Sequence, residues 1–134
     1  PLYSSAASDV YKRQLLMLEL AATSGDSFST LYDDLLEKTG PRAYERVDQH
    51  MPDKKKQKLF AALADYDQPK FAGKTVVDRN ELDGVKLLMK DGSWVMMRAS
   101  GTEPVVRIYI ETTSPEGLDK FKKHVLEAVK GLSN

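Results

Sequence analysis

One stretch of the sequence reads Trp94-Val-Met-Met-Arg98-Ala-Ser-Gly-Thr-Glu-Pro-Val-Val-Arg107-Ile-Tyr-Ile110. In it, a short polar loop lies between two apolar runs. Because side chains alternate along a strand, Val106, Ile108 and Ile110 fall on one face of the second run. The first run also carries residues that strands favour. The stretch therefore predicts two strands that turn an apolar face to a core, with the loop between them.

The loop and its flanks carry groups that bind anions. Arg98 and Arg107 bring planar guanidinium groups that match the oxygens of phosphate or carboxylate. Ser100 and Thr102 bring hydroxyl groups, and Gly101 lets the backbone turn so that N–H groups can point into one concavity. Each charge-assisted hydrogen bond to such an anion contributes about 1.5–3 kcal/mol. These five residues are the candidate site.

A plainer interpretation stands beside this one. An arginine on a strand often only pairs with a neighbouring carboxylate, and Glu103 and Glu111 are at hand. A Ser-Gly-Thr run is often only a turn. Under this alternative the chain is a structural interaction domain.

The chain contains the pattern Arg98-x-Ser-Gly-Thr-Glu-Pro-x-x-Arg107-x-Tyr-x-Glu111. This pattern resembles the phosphate-binding loop of the α-D-phosphohexomutases, the phosphoglucomutase/phosphomannomutase family. Segments 40–48, 82–86 and 91–94 resemble that family too, in the same order. The similarity runs from about residue 15 to the C-terminus. It covers the last domain of the family and the tail of the domain before it.

The resemblance implies a chemistry and a role. The family interconverts hexose 1-phosphates and 6-phosphates through a phosphoserine, a bisphosphorylated intermediate and a bound Mg²⁺. Carried over by position, Arg98, Ser100, Gly101, Thr102 and Arg107 would hold the phosphate that is not transferred. The implied partners are a hexose 1-phosphate, 6-phosphate or bisphosphate and the rest of the mutase chain.

Three other motifs of the family are missing from this sequence. We find no Ser-His-Asn-Pro serine loop, no Asp-Gly-Asp-Gly-Asp metal loop and no Glu-x-Ser-Gly-His sugar loop. We therefore expect no catalytic residue and no bound cofactor in this chain, with Mg²⁺ implied only for the full-length enzyme. We also expect the chain to be inactive alone.

Strands and turns continue the pattern on either side of the loop. The Asp91-Gly92 pair is typical of a tight hairpin turn. Four strands are predicted, at residues 74–77, 84–89, 93–98 and 105–111.

Two helices are predicted around these strands. Pro52 suits the first turn of one helix, since proline lacks the N–H that would go unused there. Ser114 is the expected N-cap of the other, with Pro115 as its first residue and Gly131 at its C-terminal end. The predicted fold is α+β: a four-stranded antiparallel sheet with two helices packed on one face.

The part before residue 52 is of a different kind. Residues 1–14 have no helix or strand period, and we interpret them as foreign or disordered. Residues 15–42 predict two helices left from a truncated α/β domain, the second capped by Ser29 and closed by Gly40-Pro41. The segment 15–22 is apolar almost all round, which predicts an exposed apolar patch or self-association. Residues 43–51 predict a linker strand, and residues 52–134 the phosphate-binding domain.

Composition limits the remaining classes of function. The 134 residues include 20 Lys and Arg against 20 Asp and Glu, so no overall basic field points to nucleic acid. No apolar run approaches the roughly 20 residues of a membrane helix. The absence of cysteine is compatible with a cytoplasmic protein. Lys54, Lys55, Lys56 and Lys58 are predicted to form a solvated helix face.

Two further hypotheses remain open at this point. One is a stand-alone phosphosugar-binding module, which the apolar segment 15–22 argues against. The other is a nucleic-acid-binding sheet, which would need a basic, aromatic sheet face. A titration with phosphates and with an oligonucleotide separates them.

Overall fold

The computed structural model describes residues 5–134, with side chains described from residue 11 onwards. The chain divides into two compact units, one that ends at Gly40 and one from Pro41 to Asn134. No helix within the described residues is long and apolar enough to cross a bilayer.

The first unit contains two helices, α1 (Ser5–Ser24) and α2 (Phe28–Thr39). The helix predicted over residues 15–22 is present, and its apolar side chains are exposed, including Leu15 at 64% and Leu18 at 62%. Residues 5–14, which we interpreted as foreign or disordered, belong to α1, whereas residues 1–4 lie outside the described residues.

The N-cap of α2 differs from the prediction. Ser27, and not Ser29, has the extended backbone of a cap, and its side chain accepts a hydrogen bond from the Thr30 N–H at 3.2 Å. The predicted end is confirmed, since Gly40 adopts φ of 78° and donates its N–H to the Leu36 carbonyl at 2.8 Å. Such a positive φ favours glycine.

The second unit is an antiparallel sheet with two helices. The helices are α3 (Asp53–Ala64) and α4 (Pro115–Leu132). The strands are β1 (Ala43–His50), β2 (Lys70–Phe71), β3 (Lys74–Asn80), β4 (Val85–Met89), β5 (Trp94–Ala99) and β6 (Val105–Thr112). Their order across the sheet is β1-β6-β5-β4-β3-β2.

The α+β class is confirmed, but the sheet has six strands, and the prediction of four was wrong. The segment predicted as a linker strand is β1, which pairs with β6 from Ala43↔Thr112 to His50↔Val105. Its sequence shows alternation but gives no sign of its partner. The short β2 pairs with β3 at two positions, too few residues to show a period.

The core lies on one face of this sheet. Val106, Ile108 and Ile110 are all fully buried, as their alternation predicted. Both helices contribute to the same buried cluster, α3 through Leu59 and Leu63 and α4 chiefly through Phe121. The prediction that two helices pack on one face is thus confirmed. Full burial of such side chains contributes about 1.5–3 kcal/mol each.

Only one end of α4 lies where the sequence predicted it. Ser114 accepts a hydrogen bond from the Gly117 N–H at 3.3 Å and Pro115 opens the helix, as predicted. Gly131 was wrongly predicted as the end, because the helix continues to Leu132, which packs against the core. Burial of that side chain outweighs the modest helix penalty of glycine.

Candidate functional site

The two arginines of the candidate site lie directly opposite each other. Arg98 in β5 pairs in register with Arg107 in β6, and residues opposite each other share one face of a sheet. Their neighbours Met97 and Ile108 are fully buried on the helix side. Since faces alternate, both guanidinium groups stand on the open face, which the helices do not cover.

Arg107 is partly covered. Its side chain is 29% exposed, and Nη2 donates to Oε2 of Glu103 at 2.9 Å. Its Nε is shielded from solvent and has no hydrogen-bond partner among the described residues. A buried donor without an acceptor costs about 1–3 kcal/mol, so the side chain is held in a position that one more acceptor would improve.

Arg98 is paired with a different carboxylate. Its Nη1 lies 2.9 Å from Oδ2 of Asp83, and its side chain is 46% exposed. Gly84 brings Asp83 to this place, since its φ is 99° and a Cβ there would lie 2.4 Å from the Met97 carbonyl oxygen. Only glycine fits such a close backbone approach.

The alternative in which the arginines pair with glutamates is therefore correct for one of them. Arg107 pairs with Glu103, whereas Arg98 pairs with Asp83. Glu111 instead accepts a hydrogen bond from Nε1 of Trp94 at 3.0 Å. Two directly opposed cations are destabilising unless anions lie beside them, and these carboxylates supply that charge.

The loop between β5 and β6 is closed by its own hydrogen bonds. The Ser100 N–H donates to the Val105 carbonyl at 3.1 Å, and Ser100 Oγ accepts from the Glu103 N–H at 3.3 Å. Ser100 is buried, while Gly101 and Thr102 are exposed. The turn at Gly101 does not require glycine, since its φ is outside the left-handed region and an added Cβ would meet nothing within 4 Å.

A lysine that the sequence placed in solvent holds this loop. Lys56 in α3 is only 12% exposed, and its Nζ donates to the carbonyls of Glu103 at 3.1 Å and Ser100 at 3.5 Å. The prediction that these lysines form a solvated helix face was wrong at this position. The signal was available, because Lys56 precedes Leu59 by three residues and so lies on the apolar face of the helix.

The open face beyond the two arginines mixes charge and aromatic rings. Arg46 makes two hydrogen bonds to Asp48, at 2.7 and 2.6 Å, and its guanidinium lies 5.8 Å from the ring centroid of Tyr109. The hydrogen bond from Arg46 lowers the pKa of Asp48, and the charge of Arg107 lowers it further. Asp48 therefore remains ionised beside the candidate site.

Tyr44 and Trp94 complete this face, with ring centroids 6.3 Å apart. The ammonium of Lys86 lies 4.3 Å from the centre of the Trp94 ring. Local periodicity does not group these side chains, because strand order alone brings β1, β6, β5 and β4 together. The face is aromatic and partly basic, with carboxylates interspersed.

A metal does not fit the donor set. Among the side chains that the structure describes, those of residues 11–134, no group of three or more His, Asp or Glu is arranged to hold a metal ion. The Mg²⁺ implied by the resemblance would thus need ligands from other parts of a complete enzyme.

The comparisons with known proteins agree on one family. A profile described as "Phosphoglucomutase/phosphomannomutase, C-terminal domain" matches residues 47–128, a range that includes all five candidate residues. A "Phosphoglucomutase/phosphomannomutase" of Thermococcus kodakarensis is 33% identical over 119 residues, which are 86% of this chain and 24% of that protein. A "Probable phosphoglucosamine mutase" of Methanothermobacter thermautotrophicus is 40% identical over 65 residues, 48% of this chain and 14% of that protein.

The fold has a counterpart among solved structures. A phosphoglucomutase/phosphomannomutase family protein from Burkholderia thailandensis matches with a TM-score of 0.52 and 20% identity, covering 74% of this chain and 19% of that one. At this identity the likeness concerns the fold. The chain spans about a quarter of the length of the Thermococcus relative.

Proposed function

The chain belongs to the phosphoglucomutase/phosphomannomutase family and matches its C-terminal domain, and from this premise we propose that residues 98–107 bind a phosphate group of a hexose phosphate. The substrate would be a hexose 1-phosphate, 6-phosphate or bisphosphate. The two arginines would supply charge and hydrogen-bond donors. Ser100, Gly101 and Thr102 would supply hydroxyl and backbone donors.

The pairing of Arg98 with Arg107 is the observation that carries this proposal. Two arginines at directly opposed positions on one face of the sheet supply donors that favour an anion with several oxygens. The buried Nε of Arg107 adds a donor for which the described residues offer no acceptor. An anchored loop at the end of the same two strands places further donors nearby.

In the proposed mechanism, the loop holds the phosphate that is not being transferred. Its binding energy is remote from the reacting atoms and would orient the sugar hydroxyl towards the phosphoserine of the complete enzyme. Because phosphoryl transfer depends largely on positioning and charge, such a distant contact affects the rate. One loop can serve both isomers, since it needs only to hold whichever phosphate is distal.

The chain itself would bind and orient the substrate and would not catalyse the transfer. The serine, metal and sugar motifs of the family are missing from its sequence, so we expect the isolated chain to be inactive. The rest of a mutase chain is the partner that this proposal requires. A cytoplasmic location is part of the same proposal and rests on the family resemblance.

A binding titration of the 134-residue chain tests the proposal. Inorganic phosphate and glucose 1-phosphate are added while amide NMR shifts are followed, for the wild type and for Arg98→Ala. We expect weak binding that shifts the amides of residues 98–107, and a loss of about tenfold or more in the variant, since one charge-assisted hydrogen bond contributes about 1.5–3 kcal/mol.

Arg46→Ala is the matched control. Arg46 has the same side-chain exposure as Arg98, 46%, and lies on the same open face in an ion pair with Asp48. It should lose much less phosphate affinity than Arg98→Ala. Equal loss in both variants would mean that general charge, and not the loop, attracts the anion.

The nucleic-acid hypothesis is tested in the same experiment. The open face carries Tyr44, Trp94 and Tyr109 beside Arg46 and Lys86, which gives it more support than the sequence did. The chain nevertheless has no net charge. Oligonucleotide binding with a steep salt dependence, in place of phosphate binding, would favour this function.

A further inference from the structure

We propose that the Glu103 carboxylate is a built-in competitor of the phosphate for Arg107, so that an anion must bind Arg107 strongly enough to displace it. This inference rests on the proposed function. Glu103 would then raise the concentration that every anion needs, which keeps weakly binding anions, such as simple carboxylates, off the site at concentrations where a phosphate still binds. Asp83 would act in the same way, more weakly, on Arg98.

The position of the Glu103 carboxylate carries the first step. Its Oε2 lies 2.9 Å from Nη2 of Arg107 and 3.5 Å from Oγ of Ser100. One carboxylate oxygen thus contacts two of the five groups proposed to bind phosphate. An anion cannot take these contacts while Glu103 keeps them.

The backbone of Glu103 is fixed while its side chain is free to move. Its N–H donates to Ser100 Oγ at 3.3 Å, and its carbonyl accepts from Lys56 Nζ at 3.1 Å and from the Val105 N–H at 2.8 Å. Its side chain, by contrast, is 57% exposed. The carboxylate can therefore leave Arg107 by rotation about side-chain bonds alone.

The contact of Glu103 with Arg107 is incomplete. It uses Nη2 and leaves the buried Nε without a partner among the described residues. Guanidinium groups bind anions best through two parallel N–H donors. Glu103 presents a single oxygen to Arg107, whereas a phosphate has more oxygens to present. A phosphate can therefore make a more complete contact with Arg107 than the one that it displaces.

A tethered carboxylate is also a strong competitor for free ones. Groups held in one chain have effective concentrations of about millimolar or more. A free carboxylate of equal intrinsic affinity must exceed that concentration to replace Glu103. The apparent dissociation constant of any anion equals the intrinsic constant divided by the fraction of molecules in which Arg107 is free of Glu103.

Arg98 has a comparable but looser arrangement. Its ion pair with Asp83 spans 2.9 Å, with side chains 46% and 59% exposed. Pairs this exposed contribute little. We therefore assign the main effect to Glu103, whose partner is the more buried of the two arginines.

The test is a titration of the 134-residue chain with inorganic phosphate and, separately, acetate, in the wild type and in Glu103→Gln. Amide shifts of residues 98–107 report binding. We expect Glu103→Gln to bind both anions about two- to fivefold more tightly, the range that an exposed ion pair can supply. Thermal unfolding monitored through Trp94 checks that the variant is folded.

Two further variants make the test specific. Glu103→Asp keeps the charge but shortens the side chain, so it should bind phosphate as tightly as Glu103→Gln. Glu45→Gln removes an ion pair of similar length, 2.8 Å to Lys122, in another part of the unit and should leave binding unchanged. This pattern would support the competitor.

Each other outcome overturns it. If the wild type binds phosphate in an Arg98-dependent way and Glu103→Gln binds it no more tightly, the proposed role of Glu103 is wrong and the proposed phosphate site is retained. If Glu45→Gln raises phosphate affinity as much as Glu103→Gln does, or if Glu103→Asp has the affinity of the wild type, the effect comes from net charge. The contact between Glu103 and Arg107 is then unimportant. If neither the wild type nor Glu103→Gln binds phosphate, both proposals fail.

Discussion

At the scale of single residues, Arg107 is the most informative side chain. Its Nε is shielded and has no acceptor among the described residues, a cost of about 1–3 kcal/mol. Arg107→Lys would keep the charge and remove the guanidinium fork, because an ammonium is a compact point charge. We expect a loss of phosphate affinity of about tenfold with little loss of stability. NMR titration and thermal unfolding measure the two quantities.

Arg46→Lys is the control for that substitution, since Arg46 lies on the same face but outside the loop. Unchanged phosphate affinity in Arg107→Lys would show that charge alone is used. The donor groups of the candidate site can be predicted from the sequence, because arginine, serine and threonine carry their donors in any setting. Their pairing was less predictable: Asp83 and Arg98 are fifteen positions apart in the chain, and only the fold brings them together.

At the scale of elements, α3 and the β5–β6 loop are joined by one side chain. Lys56→Met keeps the aliphatic stem of Lys56 and removes the donor that the Ser100 and Glu103 carbonyls share. We expect faster amide hydrogen exchange in residues 100–104, a several-fold weaker affinity for phosphate, and about 1 kcal/mol lower stability. Hydrogen exchange followed by NMR measures the first of these directly.

The neighbouring Lys55 provides the comparison. It is exposed and donates to Oδ1 of Asn134 at 3.1 Å, away from the loop, so Lys55→Met should leave loop exchange unchanged. Similar exchange rates in the two variants would contradict a positioning role for Lys56.

Elements were predictable where a local rule decides them. Alternation identified β6, and the Ser114-Pro115 pair identified the start of α4. The end of α4 and the N-cap of α2 were misplaced, because burial of Leu132 and the choice between Ser27 and Ser29 depend on surroundings that the sequence does not display. The two-residue β2 was missed for lack of any period.

At the scale of the whole molecule, β1 is one of the two strands that the predicted four-stranded sheet lacked. The sequence predicted a linker strand before a domain that starts at residue 52, whereas β1 pairs with β6 over its full length and lies in the second unit. Pairing partners far apart in the chain leave no mark on local periodicity. The consequence is physical, since β6 without β1 would present an open edge of N–H and C=O groups.

This difference gives a prediction for two shortened chains. We expect residues 41–134 to unfold cooperatively in urea, because they include β1, the buried Met51 and the complete sheet. Residues 52–134 should unfold at a clearly lower urea concentration and tend to associate, since they lose the β1–β6 pairing and the cover that Val47 gives to the core. Fluorescence of the single tryptophan, Trp94, follows both transitions. Equal midpoints for the two chains would mean that β1 adds nothing to the stability of the sheet, and that the boundary expected from the sequence describes the folding unit better than the strand order does.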